Sequence, residues 1–440
     1  MTPLEFRSAL EKGLGRAILH LQKNDPAPYK EIILETCLRN ICLNRQTEGG
    51  RDEFLFDAIQ LTGDIAYFEN EILKALNNEH LRADTGFLAL SEDIQQLIGL
   101  TKLFALNGSE VARQALYQSF LVSPEKDYRH GRVQAEAIVE FDGEKGLRFV
   151  LEQFAALLQA DPDFYADDDF LKLVREKLSN DIVDRVLSEL TQMGGSEKAY
   201  LDAIKHNLEK RQNRPKSFQP RWDEIPYKTM KTWIAERKNS YTRFGWWGEY
   251  ASQENLERVA NDLRKETDPE ILRGLLRVFV RRSWFALYSR FLELSRHENE
   301  DVQYFAFRAL EQIKHPEVRL RALETLKSVE LAGQGVWLLI QNLLPGDEQA
   351  LEAAFSFYFD PDSLNSFGRG IKAVFLQQPQ QTLLKSMLLA YDHQPCSHCR
   401  ADLVELLHET GNLSQWMLEE VCWDSDLDLR AKARAWANHP

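Results

Sequence analysis

Apolar residues recur at helical spacing along most of this chain. Ile65, Phe68, Ile72 and Leu76 follow one another at intervals of three or four residues, which places them on one face of an α-helix. Only 15 prolines and 22 glycines interrupt the 440 residues. Because these two residue types end helices and mark the turns between strands, so few of them favour long helices joined by short turns. The sequence therefore predicts an all-α fold.

The first part of the chain reads as a run of helices. Glycine pairs and an Asp-Pro step mark turns between them, at Gly49-Gly50, Asp161-Pro162 and Gly194-Gly195. The spacing predicts helices over 3–23, 27–44, 51–60, 64–78, 92–105, 109–121, 143–159, 167–179 and 180–193. We expect an N-terminal helical domain over 1–204, arranged as a bundle.

A basic, proline-bearing stretch follows that domain. Between 205 and 244 there are eleven Lys or Arg residues against four Asp or Glu residues, in a chain whose formal charge is -14. Pro215, Pro220 and Pro226 lie in the same stretch and oppose a continuous helix. The change in charge and the helix breakers coincide, so we predict a junction over 205–250.

Residues 251–440 return to helical spacing. Asp268-Pro269 is a start signal, because a capping carboxylate followed by proline favours the first turn of a helix. Helices are predicted over 269–282, 284–296, 301–313, 316–326, 347–358, 363–377, 380–392, 399–410, 413–422 and 426–437.

Two of these helices carry a repeated pattern. Asp301, Val302, Ala306, Ala309 and Leu310 resemble the second helix of a HEAT repeat. The run 315–319 resembles the start of another unit, and Asp428-Leu429-Arg430 repeats part of it. The resemblance is carried by 297–327, where Gln303 replaces the usual Arg. It implies an irregular HEAT-like α-solenoid of antiparallel helix pairs over 251–440, and such solenoids bind macromolecules along an extended surface.

Four side chains that can bind metals lie close together at His393, Cys396, His398 and Cys399. Thiolate and imidazole are ligands that zinc prefers, so one interpretation is a structural zinc site. The side chains of the adjacent His398 and Cys399 would diverge, which argues against a single tetrahedral site. A second interpretation is a turn at Pro395, after which Cys396 and Cys399 open the next helix. A third is a redox-active pair, since a helix N-terminus lowers a thiol pKa.

Aromatic and basic residues alternate in the junction and near it. Cations attract phosphate and aromatic faces stack on bases, so a nucleic-acid surface is one interpretation. The other is a connector whose aromatic residues pack onto the solenoid. The candidate binding residues in this stretch are Arg221, Trp222, Trp233, Arg237, Arg243, Trp246 and Trp247.

A row of arginines follows the junction. Arg273, Arg277 and Arg281 are spaced four residues apart, so they share one face of a helix. On a solenoid groove the row would hold an acidic ligand, and on an outer face it would be solvated. Trp284 lies beside it and completes the set of candidate anchors.

The overall prediction is a non-enzymatic binding scaffold that holds a protein partner. A Gly-rich phosphate loop, GxSxG, HExxH and an EF-hand loop are absent from the sequence, which weakens most enzyme classes. One alternative is a nucleic-acid-binding protein similar to the HEAT-like DNA glycosylases, and another is an acidic inhibitor or immunity-type protein for a basic partner. We expect no cofactor unless the Cys/His cluster binds zinc, no membrane association, and a cytoplasmic location, because no apolar stretch approaches ~20 residues.

Overall fold

The structure, a computed structural model, describes residues 1–83, 92–122, 128–161, 164–213, 222–236, 241–357 and 360–438. Every regular element within these ranges is helical, which confirms the predicted all-α class. Residues 1–217 form α1 (Pro3–Lys12), α2 (Arg16–Lys23), α3 (Lys30–Cys37), α4 (Arg45–Glu48), α5 (Asp52–Thr62), α6 (Ile65–Ala83), α7 (Glu92–Leu106), α8 (Glu110–Val122), α9 (Tyr128–Ala160), α10 (Asp169–Lys177), α11 (Asn180–Met193) and α12 (Gly195–Gln212).

The rest of the chain continues in the same way. Residues 218–413 form α13 (Tyr227–Ala235), α14 (Tyr241–Tyr250), α15 (Gln253–Lys265), α16 (Pro269–Arg277), α17 (Tyr288–Leu294), α18 (Glu300–Leu310), α19 (Pro316–Thr325), α20 (Ala332–Leu338), α21 (Glu348–Ala354), α22 (Pro361–Gln377), α23 (Leu384–His393) and α24 (Ser397–Glu409). The last helices are α25 (Gln415–Val421) and α26 (Leu427–Asn438). No described helix combines the length and hydrophobicity that crossing a lipid bilayer requires.

The helices divide into two compact units. Unit 1 comprises residues 1–217 together with 414–440, and unit 2 comprises residues 218–413. This division differs from the predicted boundaries in two places. The predicted junction over 205–250 is not a separate segment, because α12 belongs to unit 1 whereas α13 and α14 belong to unit 2. The last two helices, predicted to continue the second half of the chain, belong to unit 1.

Specific contacts attach α25 and α26 to the N-terminal helices of unit 1. The backbone N–H of Ser425 donates to the carbonyl of Gly13 at 3.0 Å. Arg16 in α2 pairs with the buried carboxylate of Glu420 in α25 at 2.7 Å. Arg430 in α26 pairs with Asp57 in α5 at 2.7 Å. These contacts join residues about 400 positions apart, and no local sequence pattern encodes them.

Gly13 and Gly15 permit this close approach. Gly13 has φ +72°, a left-handed conformation that ends α1 and that residues with a Cβ rarely adopt. The sequence predicted one continuous helix over 3–23, and the structure breaks it here. At Gly15 a Cβ would lie 1.9 Å from the carbonyl oxygen of Glu420, so only glycine fits beside α25.

Aromatic side chains form the core where α9, α10 and α12 of unit 1 meet. Phe154 in α9 packs edge-to-face on Phe170 in α10, with ring centroids 5.4 Å apart. It also lies 5.9 Å from Tyr200 in α12, so three helices meet around one ring. The long helix α9 is broken at Gly143, where φ is +58° and the helical geometry is interrupted.

In unit 2, alternate helices contact one another in chain order. α14 packs on α16, α16 on α18, α18 on α20, and α20 on α22. The intervening helices cover them, since α15 packs on α16, α17 on α18, and α19 on α20. The predicted start of α16 is confirmed, because the carboxylate of Asp268 accepts from the backbone N–H of Glu270 and Pro269 opens the helix.

Candidate binding surface

Trp247 is buried and packs inside unit 2. Its side chain is fully shielded from solvent, and its indole Nε1 donates to the carbonyl of Ile225 at 2.9 Å. Trp247 was predicted to be a binding anchor, and its burial shows that this prediction is wrong. The physical reason is the helical rotation of α14, which turns Phe244, Trp247 and Ala251 to one side at spacings of three and four residues.

Arg277 and Trp284 are also buried, although both were candidate anchors. Arg277 is 5% exposed, and its guanidinium lies 4.3 Å from the centroid of the Phe305 ring in α18. Trp284 packs against Phe279 with ring centroids 6.0 Å apart. Both side chains therefore stabilise the packing of unit 2 and have little surface left for a partner.

Arg273 connects neighbouring helices. It donates to Asp301 at the start of α18 at 2.7 Å and to Glu270 in its own helix at 2.8 Å. Two carboxylates therefore balance its charge. The predicted arginine row thus splits into two packing residues and one exposed residue, Arg281.

Arg281 forms an exposed stack with two aromatic rings of α14. Its guanidinium lies 3.8 Å from the centroid of the Trp246 ring, and Trp246 lies parallel to Tyr250 with centroids 6.4 Å apart. Tyr250 is 53% exposed. Arg243 is exposed on the same side of α14, three residues before Trp246. Glu249 lies 3.5 Å from Arg281 and partly balances its charge.

A second cation–aromatic contact lies further along the helices of unit 2. Arg308 in α18 is 5.9 Å from the ring centroid of Trp337 in α20, and Trp337 Nε1 donates to Ser366 Oγ in α22 at 3.4 Å. Neither Arg308 nor Trp337 was among the binding residues predicted from the sequence. They are 29 positions apart, and only the packing of α18 on α20 joins them.

Glu311 accompanies Arg308 at 2.7 Å. Burial raises the pKa of Glu311 to about 7, and the positive charge of Arg308 opposes that rise without cancelling it. The carboxylate beside Arg308 therefore takes up a proton and loses its negative charge as the pH falls through about 7.

We use the name arginine–aromatic row for the exposed or half-buried cations and rings on the helices α14, α18 and α20 and in the turn that follows α16. Because α14, α16, α18 and α20 contact one another in that order, the members of the row are arranged in the same order across unit 2. The row consists of Arg243, Trp246, Tyr250, Arg281, Arg308 and Trp337.

The remaining junction residues add little to this surface. Trp222 and Trp233 are half-buried and precede α14 in unit 2. Arg221 and Arg237 lie outside the described residues. Of the seven junction candidates, Arg243 and Trp246 are therefore the ones that the structure places in the row.

The Cys/His cluster does not converge on one point. Cys396 is the N-cap of α24, and its sulfur accepts from the backbone N–H of Cys399 at 3.4 Å. His393 Nδ1 lies 2.9 Å from the carbonyl of Leu389 at the end of α23, and His398 is exposed. Within the described ranges, no three Cys, His, Asp or Glu side chains are grouped to hold a metal ion.

The thiol of Cys399 is not activated. The hydrogen bond to Cys396 and burial both raise the pKa of Cys399 above its ordinary value. A reactive thiol requires a lowered pKa, so the effect expected from the helix N-terminus is outweighed at Cys399. The geometry matches the second interpretation, in which Cys396 and Cys399 open a helix after the turn at Pro395.

Comparison with known proteins adds no functional assignment. No protein-family model matches the sequence, and no curated protein matches it. A solved structure that aligns with it is the crystal structure of an engineered protein from the Northeast Structural Genomics Consortium. The alignment covers 99% of this chain and 98% of that one, with 15% sequence identity and a TM-score of 0.18. A TM-score this low carries no argument about fold or function.

Proposed function

We propose that this chain is a non-enzymatic protein-binding scaffold that contacts its partner through the arginine–aromatic row of unit 2. The observation that carries the proposal is the exposed stack of Arg281, Trp246 and Tyr250. Trp, Tyr and Arg are enriched among the few residues that supply most of the binding energy at protein interfaces. In the stack, mutual contact already restricts the motion of these side chains, so less conformational entropy is lost when a partner binds.

The chemistry of the row also indicates what the partner offers. Arg281 presents planar N–H donors that suit a carboxylate, and Tyr250 presents a ring beside a hydroxyl. A protein surface with an acidic residue next to an apolar one complements this pair.

The charge balance of the row favours a protein over nucleic acid. Arg281 has a carboxylate neighbour on the same surface, Glu249, at 3.5 Å. A phosphate backbone would be repelled by this carboxylate, and nucleic-acid affinity depends on unbalanced cations. Unit 2 as a whole is also weakly acidic, with 24 Lys or Arg residues against 27 Asp or Glu residues.

The arrangement of unit 2 supports a HEAT-like solenoid as the scaffold. Alternate helices that contact in chain order, each covered by an intervening helix, are typical of stacked helix pairs. The ion pair of Arg273 with Asp301 joins two successive helix pairs, and in HEAT repeats Asp and Arg residues bridge neighbouring units in this way. Arg319 and Asp347 make a similar contact between the following helices at 2.8 Å.

A matched pair of variants tests the proposal. Tyr250→Ala with Arg281→Glu removes the stack. Tyr165→Ala with Arg211→Glu is the control, because Tyr165 and Arg211 of unit 1 also contact each other and are equally exposed. Quantitative affinity capture from native lysate should show proteins whose recovery falls roughly tenfold or more with the first variant only.

Two results would count against the proposal. One is an unchanged set of captured proteins for Tyr250→Ala/Arg281→Glu. The other is binding to labelled duplex DNA at low salt that the same variant abolishes, which would assign the row to nucleic acid. Charge reversal at Arg273 or Arg277 is unsuitable, because both side chains hold helices of unit 2 together.

A further inference from the structure

Four helices of unit 2, α16, α18, α20 and α22, lie side by side and run in the same direction. Arg273 of α16 contacts Asp301 of α18, and one turn later Arg277 contacts Phe305. The contacts of α18 with α20 and of α20 with α22 advance along both helices in the same way. Because the axes of packed helices are about 8–10 Å apart, the four helices present their exposed side chains at that interval.

Arg369 extends the arginine–aromatic row onto α22. Trp337 Nε1 donates to Ser366 Oγ at 3.4 Å, so the side of α22 that carries Ser366 faces the row. Arg369 follows Ser366 by three residues, which places it on the same helix face, and its side chain is exposed. Among the described residues it has no ion-pair partner. The extended row, meaning the arginine–aromatic row together with Arg369, therefore ends in an unbalanced cation.

Positive charge prevails along the extended row. It contains four arginines, and two carboxylates lie beside them, Glu249 next to Arg281 and Glu311 next to Arg308. The side chain of Glu311 is 15% exposed and that of Arg308 is 38% exposed, so the cation is the more accessible of that pair. The other carboxylates of α16, α18 and α22 lie in the first turns of these helices, where they interact with the helix dipole. The extended row therefore complements a chain that carries spaced negative charges.

The interval between the helices matches one conformation of a bound polypeptide. In a polyproline II helix three residues make one turn, so every third side chain points the same way at a spacing of about 9.3 Å. In a β-strand the side chains alternate, so the third residue points to the opposite side. One step from helix to helix of unit 2 thus corresponds to one turn of polyproline II.

We propose that the extended row binds an extended segment of a partner protein, in polyproline II conformation, whose acidic residues are spaced at multiples of three. This inference rests on the proposed function and specifies its partner. The carboxylates accept from Arg281, Arg308 and Arg369, and the residues between them pack against the aromatic rings of the row. Neutral residues of such a segment lie beside Glu249, whereas a nucleic acid carries a charge on every nucleotide.

Three synthetic peptides of equal length test the spacing. The first repeats Glu-Pro-Pro five times. The second has the same composition, with all of its glutamates together at one end, and the third has glutamine in place of glutamate. In fluorescence-anisotropy titrations of the full chain at low ionic strength, the first peptide should have a Kd roughly tenfold lower than the second, since only its carboxylates match the helix interval. Equal affinities for the first and second peptides, or for the first and third, would overturn the proposal.

Variants locate the peptide on the extended row. Arg369→Gln should weaken the Glu-Pro-Pro peptide roughly threefold, and Arg308→Gln with Arg369→Gln roughly tenfold, the range of exposed ion pairs. The control is Arg258→Gln, an exposed arginine of α15 outside the row, which should leave the affinity unchanged. Glu249→Gln should strengthen binding roughly threefold because it removes a repelling carboxylate, and a gain of affinity does not arise from misfolding. Unchanged affinity in Arg369→Gln or in Glu249→Gln would refute the assignment.

The capture experiment distinguishes failure of this inference from failure of the proposed function. If Tyr250→Ala/Arg281→Glu changes the set of captured proteins but the peptides show no preference for spacing, the scaffold function stands and the extended acidic segment is refuted. If the captured set is unchanged, the proposed function itself fails. A single-stranded oligonucleotide of the same charge that binds as tightly as the Glu-Pro-Pro peptide would assign the row to nucleic acid and overturn both.

Discussion

Replacing Trp247 with alanine should destabilise unit 2 without acting on a binding surface. The side chain is fully buried, and its loss leaves both a cavity and an unpaired carbonyl at Ile225. Large-to-small substitutions of buried tryptophan cost ~3–5 kcal/mol of unfolding free energy. For a unit the size of residues 218–413, 1 kcal/mol corresponds to ~2–4 °C in Tm, so the expected fall is ~6–20 °C.

The adjacent residue provides the control. Trp246 is half-buried, and its main contacts are the exposed Arg281 and Tyr250. An exposed cation–aromatic contact contributes ~0.5–1 kcal/mol, so Trp246→Ala should lower Tm by ~2–4 °C at most. In affinity-capture experiments Trp246→Ala should reduce partner recovery more than Trp247→Ala does, because Trp246 belongs to the row and Trp247 does not.

Differential scanning calorimetry of the full chain measures both variants. The two units can unfold in separate transitions, so each transition is compared with that of the unmodified protein. Equal shifts for Trp246→Ala and Trp247→Ala would refute the inference that α14 turns these neighbours to opposite environments.

Three further predictions concern buried charges. Arg319→Ala should destabilise unit 2 by ~3–5 kcal/mol in urea titrations, because it leaves the buried carboxylate of Asp347 without its cation; a loss below ~1 kcal/mol would contradict this. Glu311→Gln should stabilise the protein more at pH 8 than at pH 4.5. The pKa of Glu311 is raised from 4.5 to about 7, so between these two pH values the folded state retains a proton that the unfolded state has released. The stability of the unmodified protein therefore falls as the pH rises through that window. Stabilisation by Glu311→Gln that does not depend on pH would contradict the raised pKa. A double-mutant cycle of Arg430→Met and Asp57→Asn, followed by thermal unfolding, should give a coupling of ~1–3 kcal/mol, and independent effects would argue against the attachment of α26 to unit 1.

Local patterns were sufficient to predict many of the helices, but α12, α13, α14, α15 and α20 were not among those predicted. The apolar spacing of 92–105 matches α7 within one residue, and the Asp268-Pro269 step marks the true start of α16. These signals are contained within a few residues, because a helix is stabilised by contacts one turn apart and by caps at its ends. The break at Gly13 was missed, since a left-handed glycine leaves no mark in the apolar periodicity.

The surface was only partly predictable, because exposure depends on the neighbours of a helix. Trp246 and Trp247 have the same side chain and adjacent positions, yet one lies in an exposed stack and the other in the core. Arg273 and Arg277 lie in α16, whereas Arg281 lies in the turn after that helix, so the predicted row does not continue along one helix. The packing of α16 against α14 and α18 then decides that only Arg281 remains exposed.

The sequence by itself determined that this chain is helical, where most of its helices begin, and which residue types can serve as anchors. Only the tertiary structure decided that 414–440 belongs with 1–217 and that Arg308 meets Trp337. The physical reason is the distance along the chain over which each kind of interaction acts. Helical periodicity and capping act over a few residues, whereas units and stacks arise from contacts between helices that are distant in the chain.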